Sequence, residues 1–350
     1  MAFDDIYPEG HQGGVCIIMN GHRVATNGDI RLEATPGQWQ PVPKQLDRKL
    51  SDNSITATLC YPDSSRHLTG FNPMIYPDLH LIYTVQVESK GKHIEVTVDL
   101  DRPIPQEFIG KVGFNLEFFP GSLFGKPWIM DGQSGIFPQQ PNSPLMTTQP
   151  NYLHTGNYHD GKQSLADMDK LIGKGYSPIV ADDIISEPYA KGRKFTSRPD
   201  DPYNKVTIES LSGDLQLFDG RMNHNNGWFV LRSNIKPGVT KGAVKWIITP
   251  NVVADWMYQP VIQTSQIGYH PAQDKEAVIE MDIRDNRKET AQIIRIDADG
   301  EKVVKNVTPA NWGKFLRYNY LKVDFTDVKE PGLYKIKYDT SVSQSWARHT

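Results

Sequence analysis

Leu81-Ile82-Tyr83-Thr84-Val85-Gln86-Val87-Glu88 is followed, after Ser89-Lys90-Gly91-Lys92, by His93-Ile94-Glu95-Val96-Thr97-Val98-Asp99-Leu100. Both runs alternate apolar and polar residues with a period of two, the side-chain repeat of a strand. Residues 81, 83, 85 and 87 form one apolar face, and the Gly-containing connector marks a hairpin. The same texture recurs in Lys111–Phe118, Lys205–Glu209, Asp214–Phe218, Trp228–Leu231 and Val244–Ile248. Pro120-Gly121 and Asp219-Gly220 close two of these runs. Many short strands at close spacing imply a sandwich or barrel, not alternating strand and helix. Helix signals are confined to Ser164–Gly173, with Ser164 as cap, Asp167 at the third position and Gly173 as stop.

A fresh series of strands begins after Tyr258-Gln259-Pro260. Ala277–Ile283 alternates, and Gln292–Ile296 and Lys302–Val304 form a hairpin about Asp299-Gly300. Tyr320–Phe325 and Leu333–Tyr338 are separated by Glu330-Pro331-Gly332, a turn in which Pro fixes φ and Gly supplies a positive φ. The predicted fold is all-β. A large β-sandwich, of plain or supersandwich type and with long ordered loops, spans residues 1–258. A small immunoglobulin-like β-sandwich spans 262–340, and 341–350 begins a truncated linker. Residues 119–163 and 186–204 read as ordered surface loops, because aromatics punctuate the first and charged residues the second.

The chain has 350 residues and a net charge of -3, which gives no basic field for a nucleic-acid partner. No apolar run approaches the roughly 18 residues of a spanning helix. Met1-Ala2-Phe3-Asp4-Asp5 has neither the basic nor the apolar region of a signal peptide. Cys16 and Cys60 sit in strand-like contexts and read as free thiols, with a disulfide as the alternative in an oxidising compartment. They give no zinc signature.

Ser265-Gln266-Ile267-Gly268-Tyr269-His270-Pro271, then Lys275 and Ala277-Val278, resembles the opening strand of the immunoglobulin-like domain that precedes the catalytic domain of family 9 glycoside hydrolases. Val323-Asp324-Phe325-Thr326 with Glu330-Pro331-Gly332-Leu333-Tyr334 resembles that module's closing strands. Residues 1–258 are similar to the extra N-terminal β domain of some Bacteroidetes members, through Gly10-His11-Gln12-Gly13-Gly14 and Gly113-Phe114-Asn115-Leu116. The resemblance implies an exported endoglucanase, periplasmic or at the cell surface, whose native leader has been removed. It implies β-glucan as the substrate and a catalytic domain following this chain.

Inverting hydrolysis needs two carboxyl groups roughly 6.5–9.5 Å apart. The Asp-Ala-Gly-Asp type motif that carries one of them in this family is not found; Asp297-Ala298-Asp299-Gly300 is a hairpin turn. No catalytic residue is therefore assigned, and the chain alone is expected to be inactive. The densest polar aromatic cluster is Tyr152-Leu153-His154-Thr155-Gly156-Asn157-Tyr158-His159-Asp160. Trp128, within Gly125-Lys126-Pro127-Trp128-Ile129, reads as a loop aromatic on which a sugar ring could stack. Trp128, Tyr152, His154 and Tyr158 are the candidate carbohydrate contacts; Trp39, Trp246 and Trp312 read as core or edge packing. No cofactor is expected. Asp182-Asp183 and Asp200-Asp201 offer oxygen ligands for a structural Ca²⁺, yet lack EF-hand spacing. Two further readings stand beside the accessory role: a stand-alone carbohydrate-binding protein, and a lyase or epimerase with its site in the large sandwich.

Overall fold

The computed structural model describes residues 14–32, 43–63, 79–141, 145–147, 184–222 and 228–347. Among these, the helical segments are three-residue 3-10 turns, and strands supply the rest of the regular structure. The helix signals at 164–173 lie outside the described residues. The chain divides into two compact units, Met1–Val253 and Ala254–Thr350.

In the first unit a six-stranded sheet runs β1 (Val15–Met19), β2 (His22–Leu32), β7 (Val112–Phe118), β16 (Phe229–Asn234), β15 (Leu215–Asp219) and β12 (Ala190–Gly192). A nine-stranded sheet runs β3 (Lys44–Leu50), β4 (Ser54–Tyr61), β5 (Leu81–Lys90), β6 (His93–Leu100), β17 (Val244–Pro250), β14 (Val206–Ser210), β13 (Lys194–Ser197), β8 (Pro127–Met130) and β9 (Gln133–Ile136). A separate pair joins β10 (Leu145–Thr147) to β11 (Ile184–Ser186). The hairpin β5–β6 is in register from Tyr83 opposite Leu100 to Lys90 opposite His93. Leu81, Tyr83 and Val85 are buried on one of its faces, with Val96, Val98 and Leu100 beside them.

The two sheets meet through large side chains. Phe114 of β7 sets its edge against Trp246 of β17 at 5.1 Å, and Phe118 meets Phe195 of β13 at 5.8 Å. Trp246 is fully buried, and its Nε1 donates to Ser233 Oγ across the core (3.1 Å). That bond satisfies the indole N–H, which burial would otherwise penalise.

Strand β7 alternates in sequence, yet all of its residues are buried. It sits at the centre of its sheet, so its polar residues must find protein partners. Arg232 Nη1 donates to Asn115 Oδ1 (2.7 Å), and Asn27 Nδ2 donates to Glu117 Oε2 (2.6 Å). The predicted loops at 119–163 and 186–204 are also corrected where they are described, because strands β8, β9, β12 and β13 run through them. Lys191-Gly192-Arg193-Lys194 is the corner where the chain leaves the six-stranded sheet for the nine-stranded one. The Asp131 carboxylate accepts from the Arg193 and Lys194 amides there (2.8 and 3.0 Å). A Cβ at Gly192 would lie 2.4 Å from Asp131 Oδ2, so only glycine admits the carboxylate.

In the second unit one sheet runs β18 (Val261–Gln263), β19 (Glu276–Asp282), β23 (Tyr318–Asp324) and β22 (Ala310–Phe315). The other runs β21 (Gly300–Val307), β20 (Ala291–Asp297), β24 (Leu333–Tyr338) and β25 (Ser341–Val342), with β26 (Trp346–Ala347) also on β24. This is the small immunoglobulin-like sandwich, and its core is Ala277, Ile279, Met281, Ile293, Leu321, Val323, Phe325 and Ile336 with neighbours. Two details differ from expectation. Residues 341–347 are not linker: Trp346 is buried, stacked on Tyr334 (6.2 Å) and set against Tyr269 and Phe325. Gly332 does not adopt a positive φ. Its missing side chain instead leaves room for the Tyr334 ring, which a Cβ would approach to 3.2 Å.

Replacing Trp346 by alanine is expected to cost the second unit about 3–5 kcal/mol, the usual price of emptying an aromatic core site. Chemical denaturation of residues 254–350 within the full chain measures it. A loss under about 1 kcal/mol would show that β26 is not part of this core.

Candidate functional site

The first-strand signature of the second unit has a physical basis. Lys275 is buried, and its ammonium donates to the carbonyls of Pro271, Gln273 and Thr326 (2.9, 3.1 and 3.0 Å). A buried charge is tolerated where each donor meets an oxygen. Tyr269 Oη accepts from the Ser265 amide (2.9 Å) and donates to the Glu276 carbonyl (3.0 Å). The segment 265–276 is thereby pinned onto the sandwich by two side chains that the sequence signature contains.

The outer face of the four-stranded sheet carries a strip of aromatic residues. Tyr318, Tyr320 and Lys322 alternate with the buried Asn319, Leu321 and Val323, so both tyrosines point outward. Trp312 sits at a bulge in β22, where the register slips between Asn311 and Gly313 and Gly313 takes φ 126°. A bulge bends its strand and re-aims a side chain. The indole is 56% exposed and meets Tyr320 edge-on at 5.6 Å. Tyr318 lies 6.1 Å from Tyr320 and 5.2 Å from Tyr258. Glu280 joins two of the rings, accepting from Tyr258 Oη and Tyr320 Oη (3.0 and 3.1 Å). Burial and the Glu280 carboxylate push both phenols above the usual tyrosine range, so they stay protonated donors.

Phe315 and Leu316 extend the strip and are 57% and 78% exposed. Leu316 holds φ 52°, a conformation natural to glycine and asparagine. At its other end the strip is anchored by Asp282, which accepts from the Tyr258 amide (3.1 Å) and from Arg284 Nε (2.9 Å). The Arg284 hydrogen bonds hold the Asp282 carboxyl well below the usual carboxylate range. Arg287 does the same to the neighbouring Asp285, which is buried.

Trp312 lies on the edge strand of its sheet, packed on Tyr320 yet more than half exposed, whereas the expectation for Trp128 is corrected. Trp128 lies in strand β8, not in a loop, and is 6% exposed. Its ring lies over the cross-strand Gly135, where a Cβ would fall 2.4 Å from Cζ2, and Tyr189 is 6.4 Å away. No open face is left on which a sugar ring could stack. Tyr152, His154 and Tyr158 lie outside the described residues, as does Asp182-Asp183. Asp201 closes a local turn, accepting from the Tyr203 amide and Asn204 Nδ2 (2.9 and 3.0 Å) and pairing with Arg198. Cys16 and Cys60 are not joined in a disulfide. Among the described residues no three His, Cys, Asp or Glu side chains gather as a metal site, and no helix is long and apolar enough to cross a membrane.

Residues 257–343 match the family model of the cellulase N-terminal ig-like domain. The match begins beside Tyr258, at the end of the aromatic strip, and covers both sheets of the second unit. No curated protein matches the chain. The second unit is therefore similar to a domain found in cellulases, and the chain's all-β architecture fits it.

Carboxylates with depressed pKa values in the fold stabilise it above their unfolded pKa of about 3.9, and that contribution is lost as pH falls through the folded values. Unfolding of the second unit is thus expected to become easier below about pH 4. Asp285→Asn should flatten this dependence in thermal scans across pH. An unchanged slope would mean that the Asp285–Arg287 pair does not contribute. Separately, Lys275→Met should cost more than about 2 kcal/mol in denaturant titrations, since three carbonyls lose their donor. A neutral outcome would contradict the pinning role.

Proposed function

We propose that this chain is the non-catalytic N-terminal portion of a family 9 glycoside hydrolase of the inverting endo-β-1,4-glucanase type. In this reading the immunoglobulin-like unit supports a catalytic domain that follows it, and the first unit is the additional β domain found in Bacteroidetes-type members. The protein acts outside the cytoplasm, in the periplasm or at the cell surface, on cellulose or a related β-glucan. The observation that carries the reading is the cellulase-type domain at residues 257–343. The pinned 265–276 segment and the closing strands through Tyr334 supply its physical counterpart. The coding sequence beyond Thr350 tests it. Continuation into a helical catalytic domain with an Asp-Ala-Gly-Asp type motif is expected, and continuation into an unrelated domain would overturn the reading.

A second reading, direct carbohydrate binding, is favoured by one observation: the exposed indole of Trp312 beside Tyr320. Sugars present apolar C–H faces that pack on flat exposed rings, while polar neighbours orient them. Electrophoresis in gels containing β-glucan is expected to show retardation that Trp312→Ala reduces. Equal mobility with and without glucan would remove this reading and leave the supporting role untouched.

A further inference from the structure

The first unit holds a cleft of about 460 Å³ between the β1–β2 edge of the small sheet and the inner face of β3, β4 and β5. That size falls in the usual range for small-ligand sites, roughly 300–1,000 Å³. Among the described residues one wall is aliphatic, formed by Ile55, Ala57, Leu59, Val85 and Val87. The opposite wall carries Asp29 and Arg31, and Gln45 and Arg48 add polar groups from β3.

Arg31 is the unusual member of this wall. Its side chain is buried, and its one hydrogen bond runs from Nη1 to the carbonyl of Ile30 (3.0 Å). A guanidinium has five N–H donors, and no other hydrogen bond to a described residue engages those of Arg31. Arg31 lines the cleft, so those donors are available to an occupant. Asp29 is already engaged: its Oδ1 accepts from Tyr83 Oη (2.5 Å) and from the Ile30 amide (2.8 Å). Burial and Asp29 push the Tyr83 phenol well above its ordinary range, so it remains a donor fixed on Asp29. Burial works against charge on Arg31, but Asp29 and Glu117 outweigh it and keep the guanidinium charged. Among the described lining residues two arginines stand with one carboxylate, Asp29, whose Oδ1 is held by Tyr83 and Ile30; Glu117 acts on Arg31 from outside the lining. An occupant that offers acceptor oxygens and one negative charge completes it, with its apolar part against the aliphatic wall.

We propose that this cleft binds a small carboxylate ligand, its carboxyl group held by Arg31 and Arg48. The carboxylate can belong to a uronic acid or to a short aliphatic acid, and the two are separated by experiment. The site is independent of any glucanase role for the chain.

The protein carries its own reporter. Cys16 lines the cleft, whereas Cys60 lies on the other face of β4 from Ala57 and Leu59. Alkylation of both thiols in the full chain, followed by mass spectrometry, reads occupancy at Cys16 with Cys60 as internal reference. Sodium glucuronate, sodium valerate and neutral glucose are compared at equal ionic strength. Glucuronate or valerate is expected to slow Cys16 modification saturably, by about tenfold at ten times its dissociation constant, with Cys60 unaffected. Whichever of the two protects identifies the source of the carboxylate. Arg48→Gln changes an exposed residue and is expected to weaken protection roughly tenfold; Ala57→Phe, which fills the cleft from its apolar wall, should abolish it. An unchanged Cys60 rate in each variant reports an intact sheet. Equal protection by glucose would overturn the carboxylate assignment. Absence of protection by either acid, or protection that survives both substitutions, would overturn the site.

Discussion

A sheet of six strands cannot cover a sheet of nine, and this mismatch governs the first unit. Where the sheets face each other, aromatic pairs such as Phe114 with Trp246 fill the space, and the indole N–H finds Ser233. Where the small sheet ends at β1, the β1–β2 edge faces β3, β4 and β5 across a cleft instead of packing on them. Ile55, on that cleft, and its cross-strand partner Leu50 are exposed. The same mismatch leaves Arg31 and Asp29 beside a cavity instead of beneath a packed layer.

The second unit meets a different constraint, that of a small core. With few residues to bury, it relies on polar side chains that satisfy backbone groups, Lys275 over three carbonyls and Tyr269 between Ser265 and Glu276. Trp346 closes the core from the far end of the chain. Its outer surface carries the aromatic strip, with Trp312, Phe315 and Leu316 exposed and Leu316 at φ 52°. Exposed apolar clusters of this kind belong to contact surfaces.

The all-β class was legible because alternation in residues 81–100 depends only on local geometry. So was the second unit's likeness to a cellulase domain, whose signature residues Tyr269 and Lys275 perform the pinning themselves. Trp128 was assigned to the wrong environment because non-local pairing decides its exposure. Trp128 is covered because β8 pairs with β13, more than sixty residues later in sequence, and because Gly135 lies opposite. Trp312 is uncovered by a bulge. The Asp29–Arg31 wall was not singled out from sequence; it follows a bulge in β2 at Asn27-Gly28, with Asn27 at φ 54°. An Asn-Gly pair inside an otherwise strand-like run is the signal that would have found it.

Both units build surfaces and clefts on their sheets. The most direct test of this account is reducing-sugar release from carboxymethylcellulose and xyloglucan by the full chain alone. The account predicts no release above the buffer blank. Release that grows in proportion to protein concentration would contradict it and require a catalytic site within these 350 residues.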